Sequence, residues 1–281
     1  MRKLQQYDQK YNTARLVARS QLATHTKLKL PLQLGEEICY YRRLWSLCFK
    51  DEICLIYDNI LRLQERVAKV ANRIGRDPNS VQLVAVSKTK PVGAIHEVLD
   101  AGIMHIGENR VQEAKVKYDA IDRPATWHMI GHLQTNKIKQ AIQFFDLIQS
   151  VDSLRLAKAI DRRSTDLGIR QPILIQVNTS GEASKFGIMP DQVQDLVVQA
   201  STYSNIQIKG LMTIGKFEPD PESVRPSFSM LRELRDDIAT QNLINVDMNC
   251  LSMGMTNDFE VAIEEGANYI RIGRSIFGER S

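Results

Sequence analysis

The hydrophobic and polar positions of this 281-residue chain change rhythm at residue 53. From there, short apolar runs alternate with segments whose apolar residues recur every three or four positions. The stretch "YDNILRLQERVAKVANRIG" sets Ile60, Leu61, Val67, Val70, Ala71 and Ile74 at helical spacing and stops at Gly75. The runs "QLVAVSK", "MHIGEN", "WHMIGHL", "DLIQSVDS", "PILIQVNTS", "IQIKGLMTI", "MNCLSMGM" and "YIRIGRSIFG" read as eight strands. They are rich in Val, Ile, Leu and Met, as strands buried on both faces should be. Helical segments separate them, from "VGAIHEVLDAG" behind Pro91 to "NDFEVAIEEGA" before the last strand. Eight units in about 230 residues, with no G-x-G-x-x-G turn after the first strand, predict an α/β chain. The architecture expected is a single (β/α)8 TIM barrel over residues 53–281, with the leading helix capping its bottom.

Residues 1–52 have a different character and are expected to be an extension outside the barrel. They carry ten Lys/Arg against five Asp/Glu, a net of +5, which leaves the barrel near −1. Within them, "ICYYRRLWSLCF" is an apolar, aromatic patch split by two arginines. A docking helix, a membrane-surface helix, a transit peptide and an upstream extension from a misassigned start all remain open for this segment. The near-neutral barrel gives no broad footprint for nucleic acid. No apolar run reaches the roughly 18 residues of a membrane span. Cys39, Cys48, Cys54 and Cys250 form no C-x-x-C pair and no metal-ligand spacing, so reduced thiols in the cytoplasm are expected.

In a barrel of this kind the chemistry sits where the strands end. Lys88 closes the first strand, and Lys90 has the same parity two residues later. Pro91 starts a helix, which puts Lys90 in the connecting turn and favours Lys88 as the working amine. A lysine against apolar barrel wall is disfavoured as a cation and so becomes available for Schiff-base formation with an aldehyde. The loops after strands 7 and 8, "SMGMTND" and "RIGRSIFGER", offer Gly254 and Gly273 for close backbone approach and Ser252, Thr256 and Ser275 as hydroxyls. Arg274 leads into a final helical turn. Amine and anion cradle together fit one cofactor, pyridoxal 5′-phosphate (PLP). Arg271, still inside the apolar run of strand 8, can point outward to Glu264 or Glu265, or face the pyridine nitrogen and keep it unprotonated, which makes the cofactor a poorer electron sink.

The motifs "LVAVSKTKP", "GENRVQEA", "WHMIGHLQTNK", "VNTSGEASKFG", "GLMTI", "LSMGMTNDFEVAI" and "RIGRSIFG", in that order, resemble the pyridoxal phosphate homeostasis protein family over roughly residues 53–280. The resemblance implies a fold-type III barrel similar to the N-terminal domain of alanine racemase, with PLP held as a Schiff base on Lys88. It implies that Ser252, Gly273, Arg274 and Ser275 hold the phosphate and that Arg271 faces the ring nitrogen; Gly254 is a cofactor-binding candidate from the loop reading above. Asn109 and Met253 are implied to line the ring pocket. Arg110 departs from the family, where many members have tyrosine.

A role in binding, buffering or delivering PLP without catalytic turnover is the implied function. PLP-dependent apoenzymes or a regulatory protein are the implied partners, and a cytoplasmic monomer is expected. Two-base racemisation needs a second acid/base, which the racemases draw from a separate C-terminal β-domain. This sequence runs to Ser281 just after strand 8, so no such domain is expected. The alternative is a fold-type III racemase or decarboxylase that uses His128, His132 or a partner subunit instead. A third reading makes the barrel a sensor and residues 1–52 its docking arm.

Overall fold

The computed structural model describes residues 53–182, 185–215 and 218–278. The expectations for residues 1–52 lie outside them. Contacts divide the chain into two units, Met1–Leu55 and Ile56–Ser281, and the second is the barrel. Its strands are β1 (Gln82–Val86), β2 (His105–Glu108), β3 (Thr126–Met129), β4 (Leu147–Val151), β5 (Gln171–Val177), β6 (Ile206–Thr213), β7 (Val246–Ser252) and β8 (Tyr269–Ile272). They are parallel and close in sequence order. The closing pair sets Val84 beside Arg271 and Ala85 beside Ile272, which brings the first and last strand ends together. The expected (β/α)8 barrel is present.

The helices are α1 (Ile53–Arg73), α2 (Val92–Asp100), α3 (Val111–Ala120), α4 (Ile138–Ala141), α5 (Leu154–Leu167), α6 (Val193–Ala200), α7 (Arg225–Ala239), α8 (Phe259–Glu264) and α9 (Arg274–Phe277). Local sequence explains their ends. Ser153 caps α5 by accepting from the Leu156 N–H, and Gly168 ends it with φ 64°. Pro226 lies in the first turn of α7, where a missing N–H costs nothing. Two helices depart from expectation. In α1 the buried face is Ile60, Leu63, Val67, Val70 and Ala71, while Leu61 and Ile74 are exposed. Leu63 completes the 3–4 spacing from Ile60 to Val67, and Leu61 and Ile74 fall off that stripe. The segment "TNKIKQAIQFF" makes only a 3-10 turn and the four residues of α4, and Phe144 and Phe145 are both buried beyond it, before β4 begins.

The main core lies between the strands and the helices. It includes Ile106, Trp127, Ile148, Ile173, Leu211, Phe228, Leu251 and Ile270. Each such side chain contributes roughly 1.5–3 kcal/mol on burial. A separate, smaller cluster of Leu147, Leu174 and Met212 has Cys250 and Tyr269 against it. Alternation puts Leu147 with Gln149, Cys250 with Ser252 and Tyr269 with Arg271 on shared strand faces. That face is the barrel interior, where this apolar cluster lies beside polar side chains. At Gly210 the pairing of β6 with β7 shifts register. Its φ is 153°, and a Cβ there would stand 1.9 Å from the Cys250 carbonyl oxygen. Only glycine lets the two strands approach so closely.

Candidate functional site

The stretch after β1 is a tight turn. The Lys90 N–H donates to the Ser87 carbonyl at 2.9 Å, and Thr89 adopts φ 64°. This turn separates the two lysines that parity could not. Lys90 Nζ donates to the Phe277 carbonyl at 3.1 Å, at the end of α9. Lys88, half-buried, keeps the parity of Val84 and Val86 at the barrel mouth.

A buried ion pair holds the turn. Lys117 Nζ from α3 donates to Glu108 Oε1 (2.6 Å), to Glu113 Oε1 (2.7 Å) and to the Ser87 carbonyl (2.7 Å). Ser87 Oγ donates to the same Glu108 oxygen at 2.6 Å, and the Thr89 N–H donates to Glu113. Glu108 is fully buried and Lys117 nearly so. Burial pushes the Glu108 carboxyl up, against the pull of Lys117 and Ser87. Burial also pushes Glu113 up, but Lys117 and the Thr89 N–H more than offset it and hold it below its ordinary value.

Beside this turn stand the loops after β7 and β8. Gly254 has φ 91°, and a Cβ there would lie 2.5 Å from the Ala262 Cβ, so α8 packs directly on it. Its carbonyl accepts from the Arg271 N–H at 2.9 Å. Gly273 follows β8 and lies close to β1: a Cβ on it would be 3.4 Å from the Val86 carbonyl oxygen. Arg274 is exposed and Ser275 half-buried in the turn that follows. Asn109 is half-buried after β2, and its Oδ1 is buried without a hydrogen-bond partner among the described residues. Met253 is completely buried in the main core, between barrel and helices. Arg110 is exposed.

Arg271 points inward. Glu264 and Glu265, the acidic residues near it in sequence, pair instead with Arg73, Arg225 and Arg232. Arg271 donates from one terminal nitrogen to Ser252 Oγ and from the other to the Thr213 carbonyl, each at 2.6 Å. Burial lowers its pKa to about 10, with Asp258 opposing, so it stays a cation at neutral pH. Ser252 Oγ in turn donates to Gln149 Oε1 at 2.6 Å. Gln149 Nε2 meets His128 Nδ1 at 2.8 Å, and His128 Nε2 meets His105 Nδ1 at 2.9 Å. Burial, helped by the neighbouring His105, drives the His128 pKa down to about 3.

The structure thus gathers Lys88, Asn109, Gly254, Arg271, Gly273, Arg274 and Ser275 at one end of the barrel. The Ser252 hydroxyl is turned into the interior. Sequence reasoning missed Gln149 and the Lys117–Glu108 pair. The signal for Gln149 was present: a polar residue inside an apolar strand, in phase with Ser252 and Arg271 on their own strands. Of the two histidines considered as acid/base groups, His128 has both ring nitrogens engaged inside the barrel. His132 lies at the rim, stacked on Phe186 with centroids 4.3 Å apart and 3.6 Å from Asp152. An amine, a buried guanidinium and close-packed glycine loops at one mouth suit an aldehyde that also carries an anion.

The sequence model of the alanine racemase N-terminal domain matches residues 59–281. The chain is 45% identical over 224 residues to the pyridoxal phosphate homeostasis protein of Aquifex aeolicus, covering 79% of this chain and 97% of that one. It is 36% identical to the protein of the same name in Escherichia coli K12, over 80% of this chain and 97% of that one. PipY of Synechococcus elongatus PCC7942, solved with PLP bound, superposes with a TM-score of 0.68 at 37% identity, over 76% of this chain and 99% of PipY. Alanine racemase of Clostridium difficile shares the fold at 12% identity, with a TM-score of 0.64 over 80% of this chain and 57% of that one. With its closed barrel, and relatives matched over nearly their whole length, the chain belongs to the pyridoxal phosphate homeostasis protein family.

Proposed function

We propose that this chain binds PLP at the C-terminal ends of its strands and serves intracellular PLP homeostasis, holding and releasing the cofactor without turning over a substrate. Residues 53–281 act as one PLP-binding barrel. When bound, PLP supplies an aldehyde that a lysine amine can hold reversibly, and a phosphate dianion. The residues present fit such a group. The observation that carries the reading is Arg271, a buried cation that donates to Ser252 Oγ and the Thr213 carbonyl, one strand from the turn that bears Lys88. The unpartnered Asn109 Oδ1 is a second opening for a polar ligand.

In this reading Lys88 is the covalent anchor. Gly254, Gly273, Arg274 and Ser275 accommodate the phosphate. Arg271 donates to the ring nitrogen and, being donor-only, disfavours a proton there. Asn109 and the backbone around Ser252 and Met253 border the ring. Lys117, Glu108 and Glu113 fix the turn that presents Lys88. The absence of turnover is supported by the committed nitrogens of His128 and by its low pKa, which leave it unsuited to take a proton from a substrate. The partners are PLP-dependent apoenzymes or a regulatory protein, and the chain works as a cytoplasmic monomer. Among the described residues no helix is long and apolar enough to cross a membrane.

Purified protein incubated with PLP, reduced with borohydride and digested should carry the modification on Lys88. Lys88→Ala should lose both the label and the visible absorption band. A label elsewhere, or steady conversion of any member of an amino-acid panel, would overturn the reading.

A further inference from the structure

The interior of a (β/α)8 barrel is ordinarily filled by layers of branched apolar side chains. Here one layer is a line of polar groups from His105 on β2, through His128 on β3 and Gln149 on β4, to Ser252 on β7 and Arg271 on β8. Its direction is set by chemistry. A guanidinium can only donate, so Ser252 Oγ accepts from Arg271. The Ser252 proton then goes to Gln149 Oε1, which can only accept. That leaves the Gln149 amide nitrogen facing His128 Nδ1, which must be the bare nitrogen of the ring. The His128 proton therefore sits on Nε2 and points at His105 Nδ1. Turning the Gln149 amide around would make Ser252 accept twice and leave its proton without an acceptor among the described residues. Burial keeps His128 neutral and lowers His105, as a one-way line requires.

We propose that this line is a positioning device for Arg271: Gln149 and His128 hold the Ser252 hydroxyl, and through it the guanidinium, in the orientation that meets the cofactor ring, so the Ser252 hydroxyl serves Arg271 and not the phosphate. The proposal rests on the PLP-binding reading above. It departs from what the family resemblance implies for Ser252, whose hydroxyl has no proton left for a phosphate oxygen. The Thr213 carbonyl holds the other guanidinium arm, and the Thr213 hydroxyl is itself tied to the Val177 carbonyl at 2.8 Å and to Thr179 at 2.9 Å. With both arms held, the guanidinium plane is fixed before any ligand arrives, which reduces the ordering cost of binding.

Two measurements test this. The first uses the unloaded wild-type chain and needs no variant. Long-range nitrogen–proton NMR correlations should show His128 as the Nε2–H tautomer, unchanged between pH 7.5 and 5. An Nδ1–H tautomer would overturn the direction of the line. The second compares binding of PLP with binding of pyridoxal, which lacks the phosphate, in Ser252→Ala, Gln149→Leu and the double variant. Each single change should weaken both ligands alike, by about 10-fold. The double variant should be little worse than the poorer single, because both act through one chain. Loss of PLP affinity with pyridoxal unaffected would assign the Ser252 hydroxyl to the phosphate and end the proposal. Wild-type binding in Gln149→Leu would do the same. If wild-type protein takes no PLP label at all, the PLP-binding reading fails, and positioning of Arg271 for the ring fails with it.

Discussion

Acidification should destabilise this barrel through His128. In the folded chain its pKa is about 3, because the ring is fully buried and neutral between Gln149 and His105. In the unfolded chain an imidazole titrates near 6.5. Between those values the unfolded state binds the proton and the folded state does not, so stability falls as the pH falls. At about 1.36 kcal/mol per pH unit, the loss is roughly 2 kcal/mol between pH 7 and pH 5, and roughly 4–5 kcal/mol by pH 3. His105, also lowered by burial, acts in the same sense. Glu108 and Asp258, raised by burial, act in the opposite sense and gain stability as the pH falls. The clean measurement is therefore a difference. Urea unfolding of wild type and His128→Gln at pH 7 and pH 5 should show the wild type losing roughly 2 kcal/mol more than the variant. Equal losses would refute the argument, because they would mean that His128 is not held neutral by its surroundings.

Other perturbations follow from the same geometry. Lys117→Met leaves Glu108 buried without its cation and should cost about 3–5 kcal/mol in urea unfolding. Adding Glu108→Gln should recover part of that loss, and no recovery would mean that the pair is not what holds the turn. Gly210→Ala puts a methyl group within 1.9 Å of the Cys250 carbonyl oxygen. The cost should reach about 3 kcal/mol, read as a lowered thermal midpoint or insoluble protein; an unchanged midpoint would contradict the strand spacing. Lys90→Ala removes a bond to the Phe277 carbonyl but should leave borohydride labelling at Lys88 intact, as peptide mass mapping would report.

The pattern of apolar runs, with eight units and no G-x-G-x-x-G turn, pointed to the barrel, and the pairing of β1 with β8 closes it. Strands covered on both faces must be continuously apolar, so eight of them, separated by helical spacing, are legible without any contact information. Lys88 and the glycine-rich loops were legible too, because strand ends in a barrel share one face wherever they fall in the chain. The face of α1 was only partly legible: periodicity admitted Leu61 and Ile74 alongside Ile60, and packing excluded both. Lys88 and Lys90 share parity; Pro91 already favoured Lys88 by position, and the left-handed turn at Thr89 and the bond from Lys90 to Phe277 add how the two are held apart. The interior line lay furthest from view. Gln149 and Ser252 are 103 residues apart, and nothing local links them. They meet because barrel closure brings inward-facing side chains of non-adjacent strands into one layer. There the donor-only chemistry of Arg271 fixes the direction of every bond that follows.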